Sequence, residues 1–280
     1  MDELAARLDA LCAEQPFAVH WLLKDLATGA EIGRGADAVV PSASTRKVSI
    51  MMHALSRVNA GALSLSEPCT IEARMQQGVE SGTYQYMTPG CVIPLRDALV
   101  NMIITSDNVC TQIVLERLDR DALNAWCRGI GMDGTTHRVN FPPPGLPWDH
   151  GLDAVASTTA RDQALLLERM VRGAADAQEA AALGVTPELC RLGLDIMSWQ
   201  RLRSLIPSLL PAKTRVANKT GTGPRGRMDV GVVYRGAAPR FILSYFSDQV
   251  PVAMPDGLPG QAVSNMLCGR MARAAWDALA

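Results

Sequence analysis

The hydrophobic pattern of the chain changes its period four times, and this limits the folds that the chain can adopt. Residues 2–14 have the spacing of an amphipathic helix, and residues 17–26 and 30–35 have strand-like patterns around the turn sequence TGAE. From about 44 to 200 nearly all patterns are helical. Beyond 213 the strand-like segments RVANKT, MDVGVVYR and RFILSYFSD precede a last amphipathic helix.

Two strands at the start and three near the end predict a mostly antiparallel sheet made by both termini. The helical segments lie between them in sequence and predict an insertion. We therefore expect an α/β (α+β) fold, with a helix-flanked sheet lobe of residues 1–42 and 201–280 and an all-α lobe of residues 43–200. The lobes would form one compact unit with a crevice between them, a common place for an active site.

Charge and composition exclude several kinds of partner. The chain has 27 basic and 28 acidic residues, well mixed, and no basic stripe, so we expect neither nucleic acid nor a membrane as a partner. Its longest apolar runs are too short to span a bilayer. The N-terminus has no signal-peptide pattern, which favours a cytoplasmic protein, or a periplasmic one if a signal peptide has been removed.

The stretch VVPSASTRKVSIMMHAL, residues 39–55, places two reactive side chains at the start of an apolar helix. Serines at 42 and 44 are available to cap the free backbone N–H groups. Ser44 and Lys47 are three residues apart and share one face of the first turn. A lysine is disfavoured there by the helix dipole, so its presence points to a chemical role.

Three short motifs follow one another in order, each in a suitable local pattern. They are S-x-x-K at Ser44–Lys47, S-D-N at Ser106–Asn108, and K-T-G at Lys219–Gly221. Together they resemble the signature of penicillin-binding proteins and class A β-lactamases. The resemblance covers about residues 15 to 275, and it includes the segments LRDALVNMIITSDNVCTQIVLERL and STTARDQALLLERM. It is strongest to class A β-lactamase-like serine hydrolases.

This resemblance implies a covalent mechanism. Ser44 would attack a carbonyl, and Lys47 would take or relay its proton, because a second cation and the helix dipole lower the pKa of the amine. Ser106 would pass a proton to the leaving nitrogen. Lys219 would supply the second positive charge.

The resemblance also implies how a substrate is held. The backbone N–H groups of Ser44 and Thr222 would form the oxyanion hole. The hydroxyls of Thr220 and Thr222, on the strand that contains Gly221, would bind a substrate carboxylate. Asn108 would bind an amide carbonyl.

Each of these residues also has a purely structural interpretation. Ser44 can be an N-cap and Lys47 a surface lysine, although the other two motifs argue against this. Asp107 is expected to fix its own turn through hydrogen bonds rather than to act as an acid. Asn108 can also belong to that turn.

Two arginines and the histidines remain outside the motifs. Arg225 and Arg227 can bind a carboxylate or be solvated turn residues. No histidine lies in a triad or metal-ligand pattern, so we expect structural or exposed roles for all of them. They are His20, His53, His137 and His150.

The long irregular segment 138–157 departs from the family. Class A β-lactamases have there an Arg-x-Glu pattern whose glutamate activates the deacylating water. The local match is Arg138-Val139-Asn140, so Asn140 takes the place of the glutamate, in contact with the substrate. An amide cannot take a proton from water at neutral pH. Asp149 or Asp153 can replace the glutamate only if the loop is rearranged.

The disulfide common in the family is also missing, since Met51 and Leu99 stand at its two positions. The chain has seven cysteines, an odd number, with no C-x-x-C pair and no histidine at metal-ligand spacing. We therefore expect reduced, mostly buried thiols, and no metal or other cofactor. The cysteines are Cys12, Cys69, Cys91, Cys110, Cys127, Cys190 and Cys268.

The sequence thus predicts one compact catalytic unit that hydrolyses a small molecule, a β-lactam or a related amide or ester, through an acyl-enzyme. A carboxypeptidase or esterase with the same Ser–Lys groups is an alternative, and Asn140 favours it. A third interpretation is a protein that binds β-lactams as a slowly turning-over sensor.

Overall fold

The computed structural model describes residues 1–143 and 145–279. Its helices in chain order are α1 (Asp2–Ala13), α2 (Lys47–Asn59), α3 (Leu95–Ile104), α4 (Asn108–Leu115), α5 (Arg120–Gly129), α6 (Ala160–Gly173), α7 (Ala177–Ala182), α8 (Pro187–Ser198) and α9 (Gly260–Ala278). Its strands are β1 (Ala18–Asp25), β2 (Glu31–Arg34), β3 (Val40–Pro41), β4 (Pro68–Thr70), β5 (Val92–Pro94), β6 (Ser157–Thr158), β7 (Val216–Thr222), β8 (Arg227–Arg235) and β9 (Ala238–Asp248).

The central sheet joins the two ends of the chain. Its strand order is β2-β1-β9-β8-β7, and every neighbouring pair is antiparallel. The N-terminal and C-terminal strands meet where β1 pairs with β9 along its whole length, from Ala18 opposite Asp248 to Asp25 opposite Phe241. The predicted fold class is therefore confirmed. The lobe boundaries at 42 and 201 stay a prediction.

Both faces of the sheet are covered, which explains why its strands are so apolar. On β1, Trp21 and Leu23 belong to the core cluster that includes residues of α1 and α9. Leu22, which points to the opposite face, belongs to the larger cluster beneath the helical segments. Helix α2 is buried from Lys47 to Leu55 and lies inside that larger cluster.

The helix that carries the S-x-x-K motif begins later than predicted. Residues Ala43–Arg46 form a 3₁₀ turn, and the α-helix starts at Lys47. Ser42 does not cap it, because its hydroxyl donates to the carbonyl of Ala156 at 3.0 Å. Ala43 has a left-handed backbone with φ of 41°, which is unfavourable for a residue with a side chain.

The described residues contain elements that the sequence pattern did not predict. Two short strand pairs, β3 with β6 and β4 with β5, interrupt the helical region, and α7 adds one short helix. Strands of two or three residues are too short to show a period. No helix among the described residues has the length and apolar character needed to cross a membrane.

The cysteines lead to a first prediction. All seven are free thiols, and only Cys91 is exposed. Burial raises the pKa of Cys12 to about 11 and that of Cys127 to about 12, so these thiols resist ionisation as well as access. We expect a thiol-specific chromogenic reagent to modify one group in the native protein and seven in denaturant without reductant. Five or fewer in denaturant would reveal a disulfide.

Candidate active site

The amine of Lys47 brings the first two motifs together. Lys47 is only 1% exposed, and its Nζ lies 2.7 Å from the carbonyl oxygen of Ser106 and 3.2 Å from its Oγ. The same nitrogen donates to Oδ1 of Asn108 at 2.8 Å. The three polar side chains predicted from S-x-x-K and S-D-N therefore lie within hydrogen-bonding distance in one buried cluster.

The surroundings of Lys47 favour a neutral amine. Burial lowers its pKa well below the ordinary value, and the charges of Lys219 and Arg46 lower it further, while Asp107 opposes them. A neutral amine has two N–H groups, which suit the carbonyl oxygens of Ser106 and Asn108. Its lone pair then faces the Ser106 hydroxyl, which can donate. The arrangement can move protons between two side chains.

Ser106 is held in an unusual backbone conformation. Its φ is 57°, a left-handed value that costs a non-glycine residue roughly 1–3 kcal/mol. Its carbonyl also accepts from the Ser81 hydroxyl at 3.0 Å. Next to it, Asp107 accepts from the backbone N–H groups of Cys110 at 2.9 Å and Tyr84 at 2.8 Å. The prediction that Asp107 fixes its own turn is confirmed.

Lys219 of the K-T-G motif is fully buried on β7. Its Nζ donates to the carbonyl of Thr220 at 2.7 Å. Burial lowers its pKa to about 7, and the carboxylate of Asp229 counteracts this effect. Near neutral pH the side chain is therefore a mixture of charged and neutral forms, so its effect on Lys47 depends on pH.

Gly221 explains how the third motif reaches the turn of Ser44. A Cβ atom at Gly221 would lie 3.3 Å from Cβ of Ala43 and 3.3 Å from Cγ2 of Thr45. These distances are tighter than ordinary van der Waals contact, so a side chain at Gly221 would push the strand away. The glycine lets β7 pack directly against the residues that flank Ser44. Ser44 is half-buried there, and Thr222, at the end of β7, is exposed.

The loop 138–157 begins beside the side chain of Arg46, and its Pro144 lies outside the described residues. Asn140 is exposed, and its backbone carbonyl accepts a hydrogen bond from Arg46. Asp149 and Asp153 are exposed as well. The structure thus connects the main chain of Asn140 to Arg46, the residue before Lys47, and gives no contact of its amide.

A family model described as the β-lactamase enzyme family matches residues 3–279, nearly the whole chain. The chain belongs to the β-lactamase enzyme family. The family predicted from the three motifs is thereby confirmed, and with it a serine β-lactamase-like hydrolase fold.

Solved structures of the β-lactamase fold cover almost all of this chain. A β-lactamase from Chitinophaga pinensis has a TM-score of 0.86 at 19% identity, covering 99% of this chain and 100% of that chain. A β-lactamase from Sphaerobacter thermophilus has a TM-score of 0.83 at 22% identity, covering 99% and 97%. A mutant of PBP-A, solved as an acyl-enzyme complex with penicillin G, has a TM-score of 0.81 at 25% identity, covering 99% and 96%. No curated protein matches the chain.

Both arginines near the K-T-G strand have internal partners in this β-lactamase-family chain. Arg225 donates to the Asp248 carboxylate at 2.7 and 2.5 Å and to the carbonyl of His150 at 2.5 Å. Arg227 bonds to Gln261 and contacts two backbone carbonyls. Neither arginine is a solvated turn residue, and the carboxylate bound by Arg225 is the protein's own.

The histidines agree with the structural roles expected of them. His53, His137 and His150 are buried, and His20 is half-buried. Nε2 of His137 lies 3.1 Å from the Ser49 hydroxyl. The described residues contain no group of three or more His, Cys, Asp or Glu side chains that could hold a metal ion.

Sequence reasoning missed Arg46, a middle residue of the S-x-x-K motif. Its side chain is buried, and it donates to the carbonyls of Val139, at 2.7 Å, and Asn140. The only signal in the sequence was a second cation beside Lys47 in an otherwise apolar helix start. A pattern in one dimension cannot tell which way such a side chain points.

Proposed function

We propose that this protein is a serine hydrolase that forms an acyl-enzyme on Ser44 with a β-lactam or a related amide or ester. The observation that carries the proposal is the buried amine of Lys47, hydrogen-bonded to Ser106 and Asn108 and surrounded by cations that lower its pKa. Strongly perturbed buried amines are typical of catalytic sites. A lysine with only a structural role would gain nothing from two cationic neighbours.

In the first half-reaction the Ser44 hydroxyl adds to the substrate carbonyl and gives its proton to neutral Lys47. The oxygen of the carbonyl becomes negatively charged and is bound by the backbone N–H groups of Ser44 and Thr222. The proton then passes from Lys47 through the hydroxyl of Ser106 to the leaving nitrogen. The C–N bond breaks, and the acyl group remains on Ser44.

The remaining polar groups suit a small anionic substrate. Oδ1 of Asn108 accepts from Lys47, so its Nδ2 is oriented away from that bond and can donate to a substrate amide carbonyl. The hydroxyls of Thr220 and Thr222 would receive a carboxylate. Lys219, buried beside them, would add positive charge.

The second half-reaction lacks a carboxylate base at the expected position. Asn140 is an amide, it is exposed, and its contact is made by its backbone carbonyl, which accepts from Arg46. Water would therefore be activated by Lys47, directly or through Ser106, and release of a β-lactam-derived acyl group would be slow. In a simple ester or peptide the leaving group departs after acylation, whereas the ring nitrogen of an opened β-lactam stays attached to the acyl group, so water would reach the acyl-enzyme of the ester or peptide more easily. This favours an esterase or carboxypeptidase as the second candidate function.

Intact-mass spectrometry with benzylpenicillin tests the covalent step. We expect the mass of the protein to rise by the mass of one penicillin molecule. The adduct should form much faster than it is released. Hydrolysis of a chromogenic cephalosporin and of a simple thioester, followed in parallel, separates the candidates. Fast thioester hydrolysis with slow cephalosporin hydrolysis indicates the esterase. A lasting penicillin adduct without hydrolysis of either substrate indicates a sensor. A protein that neither labels nor turns over any of the three substrates contradicts the proposal.

Asn140→Glu tests the missing base. A positioned general base contributes roughly 10²–10⁴ to a rate. We expect the variant to speed release of the penicilloyl group toward this range and to change acylation less. Asn140→Gln is the matched control, since it adds the same length without a proton acceptor, and it should release the group as slowly as the wild type. Rapid penicillin hydrolysis by the wild type, unchanged in Asn140→Ala, would instead direct attention to Asp149 and Asp153.

A further inference from the structure

Arg46 is a buried cation without a carboxylate partner among the described residues. Its side chain is 6% exposed, and its guanidinium donates to two successive backbone carbonyls, those of Val139 and Asn140. The half-buried Arg225 and Arg240 pair with Asp248 and Asp25, whereas the more deeply buried Arg46 has no such partner in the described part of the chain. A buried charge that lacks a counter-ion costs stability. A functional reason for keeping it is therefore needed.

The position of Arg46 supplies that reason. It directly precedes Lys47 in the chain, and its other end reaches the first residues of the loop 138–157. Its own backbone carbonyl accepts from Ser49 at 2.8 Å, which fixes the turn from which the side chain leaves. The guanidinium thus links the turn that contains Ser44 to the first residues of the loop 138–157.

We propose that Arg46 is a positioning residue, which fixes the start of the loop 138–157 through two carbonyls and keeps a permanent positive charge beside the amine of Lys47. This inference rests on the proposed function, because it assigns Arg46 a role in setting the base of that reaction. Arg46 itself touches no reacting atom.

The two cations beside Lys47 differ in how they respond to pH. The pKa of Lys219 is about 7, so its charge fades as the pH passes neutrality. Burial lowers the pKa of Arg46 only to about 10, and the residue stays charged over the whole working range. The other titratable groups acting on Lys47 are Asp107, which favours its charged form, and the neutral thiol of Cys110. Above pH 7, Arg46 is thus the neighbouring cation whose charge persists, and it adds to the effect of burial, which is the main cause of the lowered pKa of Lys47.

The pH dependence of acylation tests the electrostatic role. Acylation by benzylpenicillin should rise with pH as Lys47 loses its proton. Removing a nearby cation makes the ammonium form more stable, so Arg46→Gln should move this rise to higher pH by about one unit. Arg46→Lys keeps the charge and should keep the wild-type midpoint. The matched control is Arg138→Gln, since Arg138 holds the same loop through Val155 and Ser157 but is not among the charges that shift the pKa of Lys47.

Limited proteolysis tests the loop role and needs no catalysis. A lysine cannot donate to both carbonyls in the geometry of the guanidinium fork. We therefore expect cleavage within residues 141–149 to be faster in both Arg46 variants than in the wild type. Equal cleavage rates in all three proteins would overturn this half of the proposal. If Arg46→Gln does not fold, the pH midpoint of acylation in Arg46→Lys tests the electrostatic role. A midpoint that shifts although the positive charge is retained would overturn that role.

The two proposals fail in different ways. A wild-type protein that benzylpenicillin and a thioester never acylate rejects the proposed function. A wild-type protein that is acylated, with an unmoved midpoint in a folded Arg46→Gln, rejects only the role of Arg46. A midpoint that moves equally in Arg138→Gln would also reject it, because loop disorder alone would then explain the shift.

Discussion

Replacing Ser44 by alanine is expected to abolish covalent labelling by benzylpenicillin and by a fluorophosphonate. The hydroxyl is the proposed nucleophile, and its removal leaves no atom at that place to form the ester. Where nucleophiles of serine hydrolases have been removed, rates fall by about 10⁶-fold. Intact mass should show unmodified protein, and peptide mapping of the labelled wild type should place the adduct on Ser44.

Ser42 provides the matched control for this experiment. It lies two residues away and is fully buried, and its hydroxyl donates to the backbone of Ala156 instead of facing the cluster of Lys47. Ser42→Ala should keep the labelling, with at most a modest loss of stability. An adduct that persists in Ser44→Ala would show that another residue is the nucleophile.

Lys47→Met is expected to lower the acylation rate by roughly 10²–10⁴, the usual contribution of a positioned general base, and to leave the protein folded. Methionine fills a similar volume, and Ser106 keeps the hydrogen bond from Ser81 to its carbonyl. Lys213→Met, a change at an exposed lysine, serves as the control and should acylate at the wild-type rate. Wild-type acylation by Lys47→Met would contradict the role of the amine as base.

The difference in thermal stability between Lys47→Met and the wild type should change with pH in one direction. The pKa of Lys47 is lower in the folded protein than in the unfolded chain, so between the two values the unfolded state binds more protons. The cost of burying this amine is therefore complete below the folded pKa and disappears as the pH rises toward the unfolded value. Lys47→Met should exceed the wild type in stability most in acid, and the difference should shrink in alkali.

The sequence predicted most of the fold because its long elements have clear periods. Buried side chains recur at regular spacing in the long elements, and this makes them predictable from the sequence. Examples are strands β1, β8 and β9 and helix α6. The pairs β3–β6 and β4–β5 have two or three residues per strand, and they form because distant segments meet. Only the tertiary structure determines such contacts.

The candidate site shows the same division between local and distant information. The motifs indicated which residue types would meet, and Lys47, Ser106 and Asn108 do lie together. The internal partner of Arg225 was not predictable, because Arg225 lies in the turn between β7 and β8 and Asp248 is the last residue of β9. Neither was the direction of Arg46, since its acceptors are backbone carbonyls, and every residue has one. A hydrogen bond to a side chain requires a particular residue type, which the sequence shows, whereas a hydrogen bond to a backbone carbonyl requires none.

The left-handed backbone at Ala43 and Ser106 has a consequence for the stability of the protein. Three non-glycine residues among those described have a positive φ, and two of them flank or belong to the S-x-x-K and S-D-N motifs. Glycine at either position would relax the backbone and favour the folded state. The stability that the fold gives up at these two positions is therefore a cost located at the candidate site, and glycine substitution would recover it only by changing the residues that flank or form the motifs.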